Sequence, residues 1–289
     1  MNTLINRENA HNEIDHIFKD LLPAQGMKER PEQMALCHRM LEAMLDGGIA
    51  LCDAGTGIGK TFAYLVAGTV YHRFRTADGL ANQPIIISTS SIALQRAVMN
   101  EYLPLLSSIL MADGKLAEPL RAVVRKGKAH YVCDQRLQSR LRRVDMEKKN
   151  SQAAAALLSL RNHIDIDEAA HLSGYDRDRV CVPQICDCRK EGCRYLYFME
   201  ICASNYYPFQ ICNHNLLLAD AIHRRTGKKP ILPEHCALVV DEAHKLSETD
   251  RRGYPQHDSQ TAAGAVCAGG RRVRICREAP AGGSVHVVG

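Results

Sequence analysis

A glycine-rich string, A-G-T-G-I-G-K-T at residues 54–61, constrains the fold of this chain more than any other feature. It follows an apolar run at 49–53 that predicts a buried strand, and the apolar spacing of residues 61–71 predicts a helix after it. In such a loop, backbone N–H groups and the helix N-terminus face an anion. The strict pattern begins with glycine, whereas this string begins with alanine.

Each part of the loop has an expected role in binding a nucleoside triphosphate. The glycines let the backbone curl around the phosphates, because they have no Cβ. Lys60 is expected to reach the β- and γ-phosphates, and the Thr61 hydroxyl to ligand Mg²⁺. The predicted phosphate-binding residues are Ala54, Gly55, Thr56, Gly57, Ile58, Gly59, Lys60 and Thr61.

A second string, V-V-D-E-A-H at residues 239–244, supplies acidic groups for the same site. The apolar run before it predicts a strand that brings Asp241 to the carboxyl edge of a parallel sheet. There Asp241 is expected to hold Mg²⁺ through water, Glu242 to polarise the attacking water, and His244 to respond to hydrolysis. The alternative is an exposed, acidic strand end without a catalytic role.

Short apolar strands alternate with helical segments along most of the chain, and this predicts an α/β fold with a doubly wound parallel sheet. A helix is predicted over 32–45, where Gly47 and Gly48 stop the apolar spacing. Arg30 precedes this helix and Gln33 begins it, near the place expected for an adenine, although the sequence alone favours an ordinary capped helix there. The further strands are predicted at 84–89, 122–124, 208–213 and 237–241.

The alternation breaks between Arg125 and Tyr207, and this stretch contains a group of cysteines. Their spacings, C-x4-C-x6-C or C-x6-C-x4-C, suit loops around a 4Fe-4S cluster, which takes four thiolates. Zinc remains the alternative, although zinc sites more often use C-x-x-C pairs, which this chain lacks. Four ligands are expected, with Cys186 or Cys188 but not both, from Cys133, Cys181, Cys186, Cys188 and Cys193.

Composition indicates a globular protein with an uneven distribution of positive charge. The N-terminus has no apolar core of signal-peptide length and no apolar run is long enough to cross a bilayer, so we expect a cytoplasmic protein without a membrane partner. Twelve cysteines in a reducing compartment favour ligation over disulfides. Residues 121–150 carry ten Lys or Arg against three Asp or Glu, which indicates a nucleic-acid patch or a solvated helix face.

Taken together, the motifs resemble those of the iron–sulfur helicases of superfamily two, the DinG and XPD group, and within it the bacterial DinG-like branch. The resemblance rests on R-x-x-Q, the phosphate loop, I-S-T-S-S-I-A-L-Q, K-G-K-A-H-Y-V-C, the cysteines, I-C-N-H-N-L-L-L-A-D and V-V-D-E-A-H, in the family's order from Arg30 to Leu246. It implies an ATP-dependent DNA helicase, active in DNA repair, that moves 5′ to 3′ on single-stranded or forked DNA.

The resemblance also assigns cofactors and site residues. It implies ATP, Mg²⁺ and a 4Fe-4S cluster, with Arg30 and Gln33 as adenine contacts. It implies a RecA-like domain in two parts, 30–125 and 206–246, after a lead-in at 1–29 and around a mainly helical cluster insertion at 126–205. Contacts to DNA are expected from Thr89, Lys126 and Lys128.

The chain departs from this family after Leu246. The remaining length does not hold the second RecA-like domain, which supplies arginine fingers in such helicases, and Gly-Arg and Gly-Gly steps punctuate 247–289. We expect an irregular, non-family tail there, and hence a polypeptide truncated to the first motor domain. Two alternatives follow: a nucleotide- and DNA-binding fragment without turnover, or a P-loop ATPase with a structural zinc module. Protein partners cannot be predicted.

Overall fold

The computed structural model of the chain describes residues 6–55, 57–147, 152–186, 192–246, 273–276 and 284–288, without the side chains of 145–147 and of the last two segments. The chain divides into two compact units. The first combines Met1–Arg125 with Asn205–Gly289, and the second is Lys126–Ser204. The second unit differs by one residue from the insertion predicted at 126–205.

The first unit is built on a parallel sheet, as the alternation of strands and helices predicts. Its strands are β1 (Ile49–Asp53), β2 (Ile85–Ser88), β3 (Ala122–Arg125), β4 (Phe209–Cys212), β5 (Ala237–Asp241), β6 (Val273–Cys276) and β7 (Ser284–Val288). Among the described residues the sheet has the order β3-β4-β2-β5-β7-β1-β6. Strand β4 pairs in parallel with β3 and β2, and β2 pairs in parallel with β5.

Strand β1, which leads into the phosphate loop, does not pair with the other strands of the family-like region. It pairs with β6 in parallel and with β7 in the antiparallel sense, and β7 pairs on its other side with β5. Both strands come from the tail that was expected to be irregular, so the structure differs from that expectation at 273–276 and 284–288. The rest of the tail lies outside the described residues.

Eleven α-helices cover much of the described chain, and none of them is long and apolar enough to cross a membrane. Two single turns of π-helix, Ile17–Leu21 and Val98–Tyr102, join neighbouring α-helices. The α-helices are α1 (Arg7–His16), α2 (Leu22–Ala24), α3 (Pro31–Asp46), α4 (Lys60–Ala77), α5 (Ile92–Ala97), α6 (Leu103–Ala112), α7 (Asp134–Glu147), α8 (Gln152–Ser159), α9 (Gly174–Val180), α10 (Arg194–Ala203) and α11 (His214–Arg225).

Helix α4 anchors the phosphate loop because it is embedded in the core of the first unit. Every residue from Phe62 to Tyr71 is buried. At Gly68 a Cβ would lie 3.0 Å from Ile85 and 3.2 Å from Phe209, so glycine allows the helix to approach the sheet closely. Close packing of this kind leaves little room for movement, which fixes the helix N-terminus relative to the strand ends.

The second unit is mainly helical, with its own small cores. One core joins apolar residues of α7, α8 and α9, and a second lies around Tyr131, Val182 and Tyr195. Two isolated antiparallel bridges, Tyr131 to Asp165 and Val132 to Cys181, replace a sheet. The second unit is therefore mainly helical, as the insertion was predicted to be.

Candidate nucleotide site and cysteine region

The phosphate loop joins β1 to α4 through backbone conformations that require glycine. Gly57 and Gly59 have φ values of 89° and 87°, in the left-handed region that other residues rarely adopt. Lys60 is the first residue of α4, so the positive end of the helix dipole lies at the loop. Thr56, one of the predicted contacts, lies outside the described residues.

Arg30 and Gln33 hold the phosphate loop through hydrogen bonds to its backbone carbonyls. Arg30 Nη1 donates a hydrogen bond to the Gly57 carbonyl at 3.0 Å, and Gln33 Nε2 donates to the Gly59 carbonyl at 2.7 Å. Arg30, the residue before α3, makes no side-chain capping hydrogen bond to that helix. A cavity of about 480 Å³ beside them is lined by Arg30, Pro31, Glu32, Gln33, Gly57 and Ile58.

The carboxyl end of β5 brings the two acidic residues to the same edge as the loop. Asp241 is the last residue of the strand and is 3% exposed. Glu242 follows with φ 54° and ψ 45°, a left-handed conformation that costs about 1–3 kcal/mol for a residue other than glycine. Glu242 Oε1 lies 3.8 Å from Lys60 Nζ. Such strain is most often retained where the side-chain direction matters for function.

The surroundings of Asp241 raise the pKa of its carboxyl group. Burial raises its pKa, the charge of Glu242 raises it further, and the charge of Lys60 opposes both. A buried carboxylate beside a second carboxylate has an incomplete charge balance, which a divalent cation would restore. Asp241 and Thr61 are the oxygen ligands that suit Mg²⁺ at this place.

His244 lies next to Glu242. Its Nε2 is 3.4 Å from Glu242 Oε2, and its side chain is 54% exposed. The residue belongs to a short 3₁₀ turn, Ala243–Lys245, after the strand. Its predicted role in responding to hydrolysis remains a prediction, now with Glu242 as the group through which it would act.

The polar end of β2 lies against these acidic residues. Thr89 is fully buried, donates a hydrogen bond to the Asp241 carboxylate and accepts one from the Ser91 amide at 3.2 Å. Its hydroxyl therefore faces the nucleotide site, and the exposed neighbours in this segment are Ser90, Ile92 and Ala93. A DNA contact by Thr89 stays a prediction, and it is one that the segment rather than this hydroxyl could make.

The motif analysis did not identify two buried groups at this edge. His214, the first residue of α11, is 2% exposed, and its Nδ1 lies 2.7 Å from Ser88 Oγ. Burial raises the pKa of the Tyr64 hydroxyl, which lies near Thr61 and Asp241. The only sequence signal for them was indirect: a polar strand end at 88–91 and the histidine of I-C-N-H-N-L-L-L-A-D.

Three of the five predicted cluster cysteines lie in one part of the second unit. The Cys133 amide donates to the Val180 carbonyl at 2.8 Å, next to Cys181, and Cys133 and Cys193 pack on the same apolar residues. Arg136 Nη1 donates a hydrogen bond to Cys181 Sγ at 3.6 Å. Cys186 is exposed, and Cys188 lies outside the described residues.

These thiols do not form a ligand set in the described part of the chain. Within it, no group of three or more His, Cys, Asp or Glu side chains is placed to hold a metal ion. Other cysteines pack into the protein interior: Cys37, Cys52, Cys202 and Cys212 are buried and Cys236 is partly buried.

The two lysines predicted to contact DNA have partners within the second unit. Lys126 Nζ forms ion pairs with Asp165 and Asp167, the latter at 2.8 Å. Lys128 Nζ donates to the Gln184 carbonyl at 3.2 Å. Their contact with DNA stays a prediction, and it would require these internal contacts to be shared or exchanged.

Comparison with known proteins gives relatives that carry helicase and DinG names. ATP-dependent DNA helicase YoaA of Haemophilus influenzae is 27% identical over 245 residues, covering 80% of this chain and 35% of the relative. ATP-dependent helicase DinG of Mycobacterium tuberculosis is 26% identical over 271 residues, covering 83% and 38%. The 3′-5′ exonuclease DinG of Bacillus subtilis is 27% identical over 234 residues, covering 78% and 23%. No protein-family model matches the chain.

These similarities confirm the resemblance to DinG-like helicases that the motifs indicate. They cover most of this chain but little more than a third of the relatives' own length. The similarity therefore concerns a part of a longer enzyme, and it does not by itself transfer the activity of the whole.

Proposed function

We propose, from this relationship to DinG-like ATP-dependent helicases, that the chain is the first motor domain of such an enzyme and hydrolyses ATP in response to DNA. The observation that carries the proposal is the meeting of the phosphate loop and the acidic strand end, with Lys60 Nζ 3.8 Å from Glu242 Oε1. A phosphate-binding lysine and a carboxylate able to accept a proton from water are the two groups that phosphoryl transfer to water requires.

Each residue of the nucleotide site has a distinct role in the proposed hydrolysis. Lys60 and the loop amides bind the phosphates, while Thr61 and Asp241 would hold Mg²⁺, which neutralises charge on the transferred phosphoryl group. Glu242 accepts a proton from the attacking water. At the same time the oxygen of that water bonds to the γ-phosphorus, and the bond between the γ-phosphorus and ADP breaks. Arg30 and Gln33 hold the loop and border the cavity in which we place the adenine.

We further propose that the substrate is single-stranded or forked DNA, followed 5′ to 3′ in DNA repair, and that the protein works in the cytoplasm. The basic stretch at 121–150 supports contact with phosphates, because its surplus of seven positive charges exceeds the net charge of +5. Within it, Arg136 and Arg140 on α7 make contacts with carbonyl and carboxylate groups of α9. Translocation would also need a second lobe.

Hydrolysis is tested by measuring phosphate release with and without single-stranded DNA. The proposal predicts a DNA-stimulated rate that Lys60→Ala abolishes, and that Glu242→Gln abolishes while ATP binding remains. Binding of ATP and DNA without any Lys60-dependent release would instead support the alternative of a binding fragment.

For the cysteine region we propose a 4Fe-4S cluster on Cys133, Cys181, Cys193 and one of Cys186 and Cys188. The sequence spacing and the neighbourhood of Cys133, Cys181 and Cys193 support it. Anaerobic purification followed by iron, sulfide and zinc analysis tests it. Stoichiometric zinc without iron would favour the structural zinc module, as the second alternative holds.

A matched pair of variants sharpens this test. Cys133→Ser should lose iron and sulfide, because it removes a proposed ligand. Cys236→Ser should retain both, since this thiol lies in the other unit and donates to the Gln83 and Pro84 carbonyls, as a serine hydroxyl also can.

A further inference from the structure

Two histidines on neighbouring helices contact each other directly in the first unit. His11 lies on α1 and His38 on α3, and their Nδ1 atoms are 2.6 Å apart. The ring centroids are 4.9 Å apart, about as far as this nitrogen contact permits, so the two nitrogens lie between the ring centres. The lone pair and the N–H bond of an imidazole nitrogen both point outward in the ring plane, so this is the arrangement of an N–H···N hydrogen bond.

The outer nitrogen of each ring faces a carboxylate on the opposite helix. His11 Nε2 lies 2.5 Å from Glu42 Oε1. His38 Nε2 lies 2.9 Å from Asp15 Oδ1. An ionised carboxylate only accepts hydrogen bonds, so each Nε2 atom must carry a hydrogen. The four side chains therefore form one continuous chain of hydrogen bonds, and each of its three contacts joins α1 to α3.

Cations next to the two carboxylates keep them ionised. Arg7 Nη1 is 2.9 Å from Glu42 Oε2, and Lys19 Nζ is 3.1 Å from Asp15 Oδ2. Burial alone would raise the pKa of the Asp15 carboxyl, but hydrogen bonds from Lys19 and His38 hold that pKa below its usual value. The carboxylates therefore act as acceptors, and the hydrogens belong to the rings.

These contacts fix the number of hydrogens on the two ring nitrogens of each histidine. Two are the Nε2–H groups, and a third lies between the Nδ1 atoms, where one ring donates and the other accepts. With two hydrogens, two lone pairs would face each other. With four, two N–H groups on two positively charged rings would face each other. The contact therefore requires three hydrogens and one positive charge, and the two imidazoles titrate as a pair.

A metal ion does not explain the contact. The nitrogen ligands of a tetrahedral zinc ion lie about 2.0–2.1 Å from the metal, which keeps them more than about 3 Å from each other. The two Nδ1 atoms are closer than that. Within the ranges that the structure describes, no group of three or more His, Cys, Asp or Glu side chains is placed to hold a metal.

Helix α1 covers part of the core of the first unit. Its residues Ala10 and Ile14 are fully buried, and so is Ile17 directly after it. The side chains of the two histidines are 28% and 24% exposed, so their protons can exchange with solvent. We propose that the His11–His38 pair is a proton-dependent latch, which holds α1 on α3 only while the two rings share one positive charge.

Other charged groups beside α1 respond to pH in a different way. Hydrogen bonds to Asp20 and Asp113 raise the pKa of His16, the last residue of α1. Its contribution to stability is complete at low pH and is lost as the pH rises through that pKa, so it cannot produce a maximum. Two further ion pairs contain guanidinium groups, which stay charged throughout: Arg73–Glu13 and Arg7–Asp46.

Hydrogen exchange of the full chain measures how firmly α1 is held. Between pH 5 and about pH 9, the protection of amides 10–16 should pass through a maximum, after correction for the intrinsic exchange rate. It should fall by about 3- to 30-fold on either side, the size expected for a partly exposed hydrogen bond to a charged group. A protection that only falls or only rises over this range would overturn the inference.

Two substitutions of His38 separate the shared proton from the packing of the ring. His38→Asn places an amide near the Nδ1 position, and its donor and acceptor do not titrate, so the maximum should disappear while part of the protection remains. His38→Leu removes the contact, so α1 should be less protected and should keep only the fall toward high pH that His16 causes. The wild-type maximum persisting in His38→Leu would overturn the inference.

Nitrogen NMR of the wild type tests the proton count without any variant. At the pH of greatest protection the two rings should carry three hydrogens, with both Nε2 atoms protonated and a scalar coupling between the two Nδ1 atoms. Two or four hydrogens at that pH would overturn the inference. Neither measurement involves ATP, so the latch and the proposed hydrolysis can fail independently of each other.

Discussion

Gln33 lies so close to Gly59 that a side chain at the last glycine of the phosphate loop would displace the Gln33 amide. A Cβ on Gly59 would be 2.2 Å from Gln33 Nε2, and the backbone there has φ 87°. Gln33 in turn donates a hydrogen bond to the Gly59 carbonyl at 2.7 Å. The contact ties α3 to the loop, which explains why the R-x-x-Q string and the phosphate loop occur together in this chain.

Gly59→Ala should therefore weaken both stability and ATP binding. The new methyl group meets the Gln33 amide, and alanine is strained by about 1–2 kcal/mol in the left-handed region. Differential scanning fluorimetry with and without Mg-ATP measures both effects. In the double variant Gln33→Ala/Gly59→Ala the collision is absent and only the backbone strain remains, so partial recovery of the melting temperature is expected. A Gly59→Ala protein as stable as the wild type would contradict this account of the loop.

The tail should matter for the phosphate loop. In the described residues β1 is joined to the sheet through β6 and β7 alone. Ending the chain after Leu246 leaves β1 without a paired neighbour, so a lower melting temperature and weaker ATP binding are expected. Limited proteolysis of the 1–246 fragment beside the full chain measures the same effect, and equal protection would show that β7 is dispensable.

A single substitution tests the strand pairing of β7 without shortening the chain. Val287 pairs with Ala50 and with Val239, so it lies in a strand with neighbours on both sides. Val287→Pro removes a backbone donor from such a strand and should lower the melting temperature, whereas Val287→Ala keeps the donor and serves as the control. The same loss in both variants would point to the side chain and not to strand pairing.

The second unit should lose stability in acid through Asp167. Burial alone would raise the pKa of this carboxyl, but hydrogen bonds from Lys126, Arg177 and His130 hold it well below its usual range. A carboxyl with a lowered pKa in the folded state stabilises the protein above its unfolded pKa of about 4. This contribution is lost as the pH falls below that value.

Unfolding of the second unit between pH 5 and about pH 2.5 measures this loss. Asp167→Asn should be less stable than the wild type at pH 5, and the difference should shrink as the pH falls. Hydrogen exchange at residues of α9 reports on this unit separately from the first. A difference that does not change with pH would mean that the Asp167 charge contributes nothing to folding.

Much of the fold could be read from the sequence because its determinants are local. The run at 49–53 and the strand at Ile49–Asp53 coincide, and the helix predicted over 32–45 occupies Pro31–Asp46. The helix ends at Gly47 in a left-handed conformation, as the paired glycines indicate. Periodicity and capping residues act within a few positions, so no knowledge of the tertiary structure is needed to recognise them.

The parts that escaped prediction depend on contacts between distant segments. β7 is a short apolar run in a glycine-rich stretch, and only the unfilled place between β1 and β5 gives it a partner. His214 looks like an ordinary polar residue at a helix start, and its contact with Ser88 joins positions 126 residues apart in sequence. Neither pairing leaves a periodic signal in the sequence, because each depends on how the sheet is assembled.

Binding of ATP itself tests the central claim most directly. Isothermal titration of the full chain with ATP and Mg²⁺ should show one site per chain, which Lys60→Ala weakens strongly. Glu242→Gln should retain that site, because Glu242 faces Lys60 and acts on the attacking water. A wild-type chain that takes up no ATP, or one that binds it equally well with and without the Lys60 ammonium group, would contradict the account.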